Sequence, residues 1–142
     1  MPYTKILIHA VWCTKKRKPL LSDGIRQAVI EHISKNAQLK GISIDCINGY
    51  LDHLHCLFWM HPDVSIAKAM NLIKGESAFW INKEKITPEY FEWADEYYAA
   101  SVSDSNIRIV RKYIKNQEIH HSKKTLQDEH EEFLKRIENL LS

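Results

Sequence analysis

The sequence predicts an α+β fold in which four strands and two helices follow one another as β-α-β-β-α-β, with two more helices after them. Short apolar segments alternate with longer segments that have helical periodicity. The second and third strands are separated only by a turn, and two helical segments follow the last strand. This order is that of the ferredoxin-like sandwich, an antiparallel-containing sheet with two helices on one face.

Composition and length indicate a single soluble domain spanning residues 1–142. The net charge is only +2, so a polyanionic partner would have to meet a local basic patch. The three cysteines match no zinc module, and free thiols in a reducing cytosol are expected. The N-terminal apolar stretch lacks the charge order of a signal peptide, and no apolar run approaches the ~20 residues of a membrane span. We therefore expect a cytoplasmic protein without a membrane partner.

The first half of the chain begins with a strand predicted over residues 3–13, where apolar residues on both faces indicate a central position in the sheet. Ser22 is expected to cap a first helix that runs to about Lys40, because Gly41 suits the position past a helix end. Between these elements lies a basic loop formed by Lys15, Lys16, Arg17, Lys18 and Pro19.

The second and third strands are predicted over residues 42–50 and 53–60. The Asn48-Gly49 pair is a strong hairpin signal, but residues 50–52 can equally form the turn, and we place the turn there. A second helix is predicted over residues 65–83 and a fourth strand over residues 96–103.

Two helices follow the fourth strand. Asp104 or Ser105 is expected to cap a third helix that runs through about His120. The last helix begins near Thr125, where Thr125 and Asp128 have the spacing of a capping box.

The third strand contains two histidines, His53 and His55, which alternation places on one face with Leu57 and Trp59. The intervening residues are apolar and should pack on the first two helices. Imidazoles about 7 Å apart along a strand can converge on one metal ion, although two half-exposed surface histidines are an alternative. Large apolar residues on that face imply a cover, either a third helix or a second subunit.

The third helix places Tyr113 and Gln117 at positions i and i+4, hence on one face. A tyrosine there can be an ordinary core residue with its hydroxyl at the rim. Near two histidines and an amide oxygen, however, a tyrosine can attack a phosphodiester whose oxygen is polarised by a metal.

Together these residues resemble the single-tyrosine HUH transposases, small enzymes of one class of bacterial insertion sequences. The His-hydrophobic-His motif is His53-Leu54-His55, and the tyrosine motif is "YIKNQ", residues 113–117. The stretches "HAVWCTKKRKPLL", "LIKGES" and "WADEYYAASVS" are also similar to the family, so the resemblance covers nearly the whole chain. A related branch acts on repeated extragenic palindromes, and the sequence after Gln117 favours the insertion-sequence branch.

The resemblance implies a bacterial transposase that cleaves and rejoins single-stranded DNA at hairpin-bearing transposon ends. His53 and His55 would bind Mg²⁺ or Mn²⁺, with Gln117 as the third ligand. Tyr113 would be the nucleophile, remaining attached as a 5′-phosphotyrosine and leaving a free 3′-OH. The resemblance also implies a homodimer in which the tyrosine helix docks on the partner and acts in trans. Phosphate contacts are expected from Lys15, Lys16, Arg17, Lys18, Arg111 and Lys115.

Two other functions fit parts of the sequence. A non-catalytic module could bind single-stranded nucleic acid through an exposed aromatic such as Trp59. A structural zinc protein could use the two histidines and a cysteine, but Cys56 alternates to the opposite face. For the enzyme, Lys112, His120 and a metal-bound water are the candidates for removing the tyrosine proton.

Overall fold

A computed structural model describes residues 3–117 of the chain. Its elements are β1 Leu7–Cys13, α1 Asp23–Leu39, β2 Ser43–Gly49, β3 His53–Trp59, α2 Ile66–Lys83, β4 Tyr98–Val102 and α3 Ile107–Lys115. Short 3-10 helices cover Lys15–Arg17 and Asp104–Asn106. The order confirms the predicted β-α-β-β-α-β sandwich followed by the tyrosine-bearing helix. α3 ends at Lys115, earlier than the predicted end near His120, and the last helix predicted near Thr125 lies outside the described residues.

The four strands form one antiparallel sheet in the order β2-β3-β1-β4. β1 and β3 are the central pair, as the apolar character of both faces of β1 predicted. The Tyr50 N–H donates to the His53 carbonyl over 3.0 Å, and Gly49 pairs with Leu54. The hairpin turn therefore lies at residues 50–52, the later of the two candidate positions. Gly49 is required there, because a Cβ would collide with the His53 carbonyl oxygen.

One face of the sheet packs against α1 and α2. The alternating apolar residues of β3 that were predicted to point this way, such as Phe58, are fully buried in this core. Ser22 precedes α1 as predicted, but its side chain makes no capping hydrogen bond. Instead the buried Arg26 donates to the Leu21 carbonyl and the Asp23 carboxylate over 2.9 and 2.8 Å, tying the first turn of the helix together.

The other face is covered by α3 of the same chain. Val110, Tyr113 and Ile114 form a second buried cluster with residues of the sheet. The sheet contributes the buried Leu7 and Leu57, while Trp59 is only partly buried against them. Of the two covers that the sequence allowed, a third helix or a second subunit, the single chain supplies the helix.

Several predicted boundaries were wrong by a few residues. β1 begins at Leu7 and not at residue 3, and β4 is Tyr98–Val102 and not residues 96–103. Neither Asp104 nor Ser105 caps α3, because both lie inside the 3-10 helix that precedes it. β4 extends only as far as its pairing with β1, from Tyr98 opposite Val11 to Val102 opposite Leu7.

β2 contains an irregularity that the sequence did not predict. Ile44 pairs with Phe58 and Cys46 pairs with Leu57, so Asp45 is an extra residue in the strand. A bulge of this kind redirects the side chains around it. Here Cys46 faces the α3 cluster, and Asp45 bonds to a residue of α3, as described below. Within residues 3–117, no helix is both long and apolar enough to cross a membrane.

Candidate active site

The two histidines of β3 lie beneath α3 and are buried, at 0% exposure for His53 and 3% for His55. Their ring centroids are 5.1 Å apart. The prediction that they share the face opposite the two sandwich helices is confirmed. The alternative that they are two half-exposed surface histidines was wrong, because both are buried beneath α3.

α3 brings the tyrosine to this pair, and the glutamine lies two residues after the end of that helix. Tyr113 is buried, and its ring centroid lies 5.5 Å from that of His55. One helical turn later, the fully buried Gln117 places Oε1 3.0 Å from Nε2 of His53. The Gln117 Nε2 donates to the Tyr113 carbonyl over 3.2 Å, which fixes Oε1 towards the histidine. The four predicted site residues are therefore assembled within a single chain.

Each histidine also has a partner for its other ring nitrogen. The Asp52 Oδ1 lies 2.9 Å from Nδ1 of His53, and Nε2 of His9 lies 2.9 Å from Nδ1 of His55. Neither Asp52 nor His9 was identified as a site residue from the sequence. His9 shares a face of β1 with Leu7, because side chains alternate along a strand. The sequence alone did not show that this face lies beside the histidines of β3.

The donor atoms at the centre suit a hard divalent cation. His53 lies between two acceptors, Oδ1 of Asp52 and Oε1 of Gln117, and a neutral imidazole can donate to only one of them. A cation between His53 Nε2 and Gln117 Oε1 would use both lone pairs. Adjacent ligands of an octahedral ion with bonds of about 2.1 Å are about 3.0 Å apart, which matches the observed separation. His53, His55 and Gln117 could therefore hold such an ion.

Within residues 3–117, no three His, Cys, Asp or Glu side chains form a group that could hold a metal ion. A third ligand from this described part of the chain would thus have to be of another type, such as the Gln117 amide. Cys56 lies in the core on the α1 and α2 side, as alternation predicted. These two observations count against the structural zinc site.

A bidentate ion pair and a hydrogen bond fasten α3 to the edge strand β2. Nε and Nη2 of Arg111 donate to the two carboxylate oxygens of Asp45 over 2.8 and 2.6 Å. The Asn48 side-chain amide donates to the Lys115 carbonyl over 3.1 Å. The hydrogen bonds from Arg111 lower the pKa of Asp45, although partial burial acts in the opposite direction. Arg111, predicted as a phosphate contact, is therefore engaged in an internal pair.

Burial also affects the bulge residue's neighbour, Cys46. Desolvation, with a smaller contribution from the Asp45 carboxylate, raises the pKa of the Cys46 thiol to about 11. The thiol is therefore protonated at neutral pH and is a poor soft ligand or nucleophile. Tyr113, by contrast, faces the histidine pair from α3.

The basic loop lies beyond the end of β1. Lys15 pairs with Glu92 over 2.9 Å, and Lys18 pairs with Glu89 over 3.0 Å. Lys16 and Arg17 are exposed, have φ of 58° and 52°, and form no ion pair with any residue between 3 and 117. Of the six predicted phosphate contacts, these two and the exposed Lys115 are the cations most available to a ligand.

The fold and the site together define a class: a ferredoxin-like sandwich in which a buried histidine pair faces a tyrosine on a covering helix. A family model described as "Transposase IS200 like" matches residues 2–117. The chain therefore belongs to the IS200-like transposase family, whose members are DNA transposases of insertion sequences.

Individual relatives agree with the family. The ISDra2 transposase TnpA of Deinococcus radiodurans is 25% identical over 115 residues, which covers 77% of this chain and 81% of that protein. The transposase for insertion sequence element IS200 of Salmonella typhimurium is 27% identical over 115 residues, covering 77% of this chain and 74% of that protein.

Two solved structures share the fold. A Deinococcus radiodurans protein assigned as a transposase superposes with a TM-score of 0.63 at 24% identity, covering 82% of this chain and 93% of its own. A REP-associated tyrosine transposase bound to a REP hairpin superposes with a TM-score of 0.64 at 16% identity, covering 85% of this chain and 72% of its own.

Proposed function

We propose that this transposase cleaves and rejoins single-stranded DNA at transposon ends through a covalent 5′-phosphotyrosine on Tyr113, assisted by Mg²⁺ or Mn²⁺. The main support is the Gln117 Oε1 to His53 Nε2 distance of 3.0 Å. This contact joins the helix that bears the tyrosine to the strand that bears the histidine pair. The proposed nucleophile and the candidate metal ligands thus lie together in one site.

In the proposed reaction, the Tyr113 hydroxyl oxygen attacks the phosphorus, and the bond from phosphorus to the 3′ oxygen breaks. The tyrosine loses its proton, and the leaving oxygen gains one to become a 3′-OH. A 3′-OH can later attack the phosphotyrosine and release Tyr113. Each step exchanges one phosphoester for another, so rejoining needs no ATP.

A free tyrosine has a pKa near ~10 and is a weak nucleophile at neutral pH. When bound, a divalent cation would act as a Lewis acid that polarises the phosphoryl oxygen and stabilises charge in the transition state. Asp52 holds His53 through Nδ1, which leaves Nε2 for the ligand position. His53 and His55 are buried beneath α3, and burial strengthens electrostatic interactions around them.

The proposed substrate is single-stranded DNA with hairpins near the transposon ends. The related structure bound to a REP hairpin supports a structured DNA partner. Lys16, Arg17 and Lys115 are the proposed phosphate contacts with no internal ion pair among the described residues. Trp59, the platform of the non-catalytic alternative, is partly buried against the α3 cluster, which favours the enzyme over a stacking module.

The test is incubation with single-stranded oligonucleotides from the flanks of the protein's own gene in the presence of Mg²⁺. We expect a DNA–protein adduct that survives denaturing electrophoresis. Tyr113→Phe removes one oxygen and should bind DNA without forming the adduct. Tyr97→Phe is the matched control and should still form the adduct, since the Tyr97 ring lies against Lys74 of α2, away from the histidine pair. An adduct with Tyr113→Phe, or undiminished cleavage in excess chelator, would refute the proposal.

Dimerisation with the tyrosine helix acting in trans stays a prediction, because a single chain does not test it. In this chain α3 lies on its own sheet, and Asp45 and Arg111 fasten it there. Mixing Tyr113→Phe with His53→Ala subunits distinguishes the arrangements. Trans action predicts partial recovery of cleavage, because one site of each mixed dimer is intact. Cis action predicts no recovery, although mixed dimers form.

A further inference from the structure

A third histidine, His9, lies in the middle of β1 and is fully buried beside the candidate site. Its Nε2 is 2.9 Å from Nδ1 of His55. We propose that His9 is a positioning residue: it accepts a hydrogen bond from Nδ1–H of His55 and thereby keeps the His55 Nε2 lone pair available to a divalent cation. The inference rests on the metal-assisted reaction proposed above and assigns a role to a residue that is not a ligand.

The contact follows from the sheet register. His9 pairs with Leu57, so His55 is its diagonal neighbour, two residues along β3 and on the same face. Diagonal partners in an antiparallel sheet are within reach of long side chains. The His9 ring is confined further by Tyr98 and Tyr113, whose ring centroids each lie 6.5 Å away in edge-on contacts. His9 is thus held against His55 from two sides.

The two histidines of the pair are supported in the same way. Asp52 meets Nδ1 of His53, and His9 meets Nδ1 of His55. In both cases Nε2 is the nitrogen left to face the centre of the site. Metal-binding histidines usually donate their other N–H to a fixed acceptor, which sets the tautomer and the ring orientation.

The direction of the hydrogen bond decides the outcome. If His9 accepts, the proton of neutral His55 is on Nδ1, and the lone pair is on Nε2. If His9 instead donated, the proton of His55 would be on Nε2, where it would exclude a cation. A carboxylate such as Asp52 can only accept when ionised, whereas an imidazole must have its own proton on Nδ1 to accept at Nε2.

The tautomer can be read directly in the wild-type protein. With ¹⁵N-histidine labelling, without metal and at pH 8, long-range ¹H–¹⁵N spectra should show His55 protonated at Nδ1 and unprotonated at Nε2. The opposite tautomer would overturn the proposal. Because this measurement needs no variant, it holds even if substitutions of His9 unfold the protein.

Mn²⁺ binding to the DNA-free protein gives the second readout, followed by the electron paramagnetic resonance signal of free Mn²⁺. His9→Leu should weaken binding about 10- to 100-fold, as is typical when such a supporting partner is lost. His9→Gln should stay within about threefold of wild type, since the glutamine Oε1 can accept the same hydrogen bond. His32→Leu is the matched control, because His32 bonds to Glu76 on the far side of the sheet.

Thermal unfolding of each metal-free variant identifies loss of fold. Wild-type affinity in a folded His9→Leu protein would overturn the role of His9, as would a folded His9→Gln protein that binds as weakly as His9→Leu. His53→Ala separates this inference from the proposed function. If His53→Ala also retains wild-type Mn²⁺ affinity, the proposed metal site itself is wrong. If only His53→Ala loses affinity, the site stands and His9 has no positioning role.

Discussion

Ile114 provides a direct test of whether α3 docks on its own sheet in solution. Its side chain is fully buried in the cluster with Leu7 and Leu57. Replacement by alanine removes three carbons, worth about 2.4 kcal/mol at ~0.8 kcal/mol each. The cavity left behind adds to this loss, so we expect Ile114→Ala to cost about 3 kcal/mol of unfolding free energy. For a chain of this size that corresponds to a melting temperature about 10 °C lower.

Ile109→Ala is the matched control on the same helix. Ile109 is 50% exposed, so the same substitution should change stability by less than about 0.5 kcal/mol. Both substitutions alter helix propensity equally. The difference between their unfolding free energies therefore reports burial alone. Differential scanning calorimetry of the two variants and the wild type measures that difference.

Protein concentration separates docking within the chain from docking on a partner. If α3 covers its own sheet, the loss in Ile114→Ala should be the same over a 100-fold dilution. If the helix is held by a partner, dilution into monomers should undock it, and the loss caused by Ile114→Ala relative to the wild type should shrink. Equal melting temperatures for the two alanine variants would refute the docked helix altogether. Cleavage by Ile114→Ala should also fall, since the same helix positions Tyr113 and Gln117.

Two further predictions concern the charged groups. Arg111 lowers the pKa of Asp45, so their pair stabilises the fold fully above the unfolded carboxyl pKa of about 3.9, and this stabilisation is lost as the pH falls through the lower folded pKa. In calorimetry, Asp45→Asn should therefore melt at a lower temperature than the wild type at pH 6, and the difference in melting temperature should close in acid. A difference that does not change with pH would contradict this. If Lys16 and Arg17 contact phosphates, changing both to glutamine should reduce the slope of log binding constant against log salt concentration by about 1.4, at ~0.7 per contact. Lys15→Gln is the control and should change this slope less, because Lys15 is paired internally. An unchanged slope in the double variant would remove both residues from the interface.

The parts of this fold that the sequence predicted are those encoded locally. Alternation placed His53 and His55 on one face of β3, and the i to i+4 spacing placed Tyr113 and Gln117 on one face of a helix. These two patterns are independent of each other in the sequence. The structure adds the long-range contact between Gln117 and His53, 64 positions apart.

The features that the sequence did not predict depend on which elements become neighbours. The burial of the histidines requires α3 to fold back over the sheet. The extra residue Asp45 in β2 is defined only by pairing with β3, and its ion pair with Arg111 spans 66 positions. In the sequence, His9 has the same alternating pattern as any half-buried strand residue. Only the register of β1 against β3 shows that it lies beside His55.

These long-range contacts converge on α3, which gives the helix two tasks that cannot be separated. It buries the cluster around Ile114 and, through the same packing, sets the position of Tyr113 against the histidines. A substitution that loosens the helix should therefore lower stability and cleavage together. Tyr113→Phe should lower cleavage alone, because the ring keeps its packing. Variants along α3 can thus be ordered by the ratio of lost cleavage to lost unfolding free energy. Residues that act only by docking the helix should share one such ratio, and the ratio for the nucleophile should differ from it.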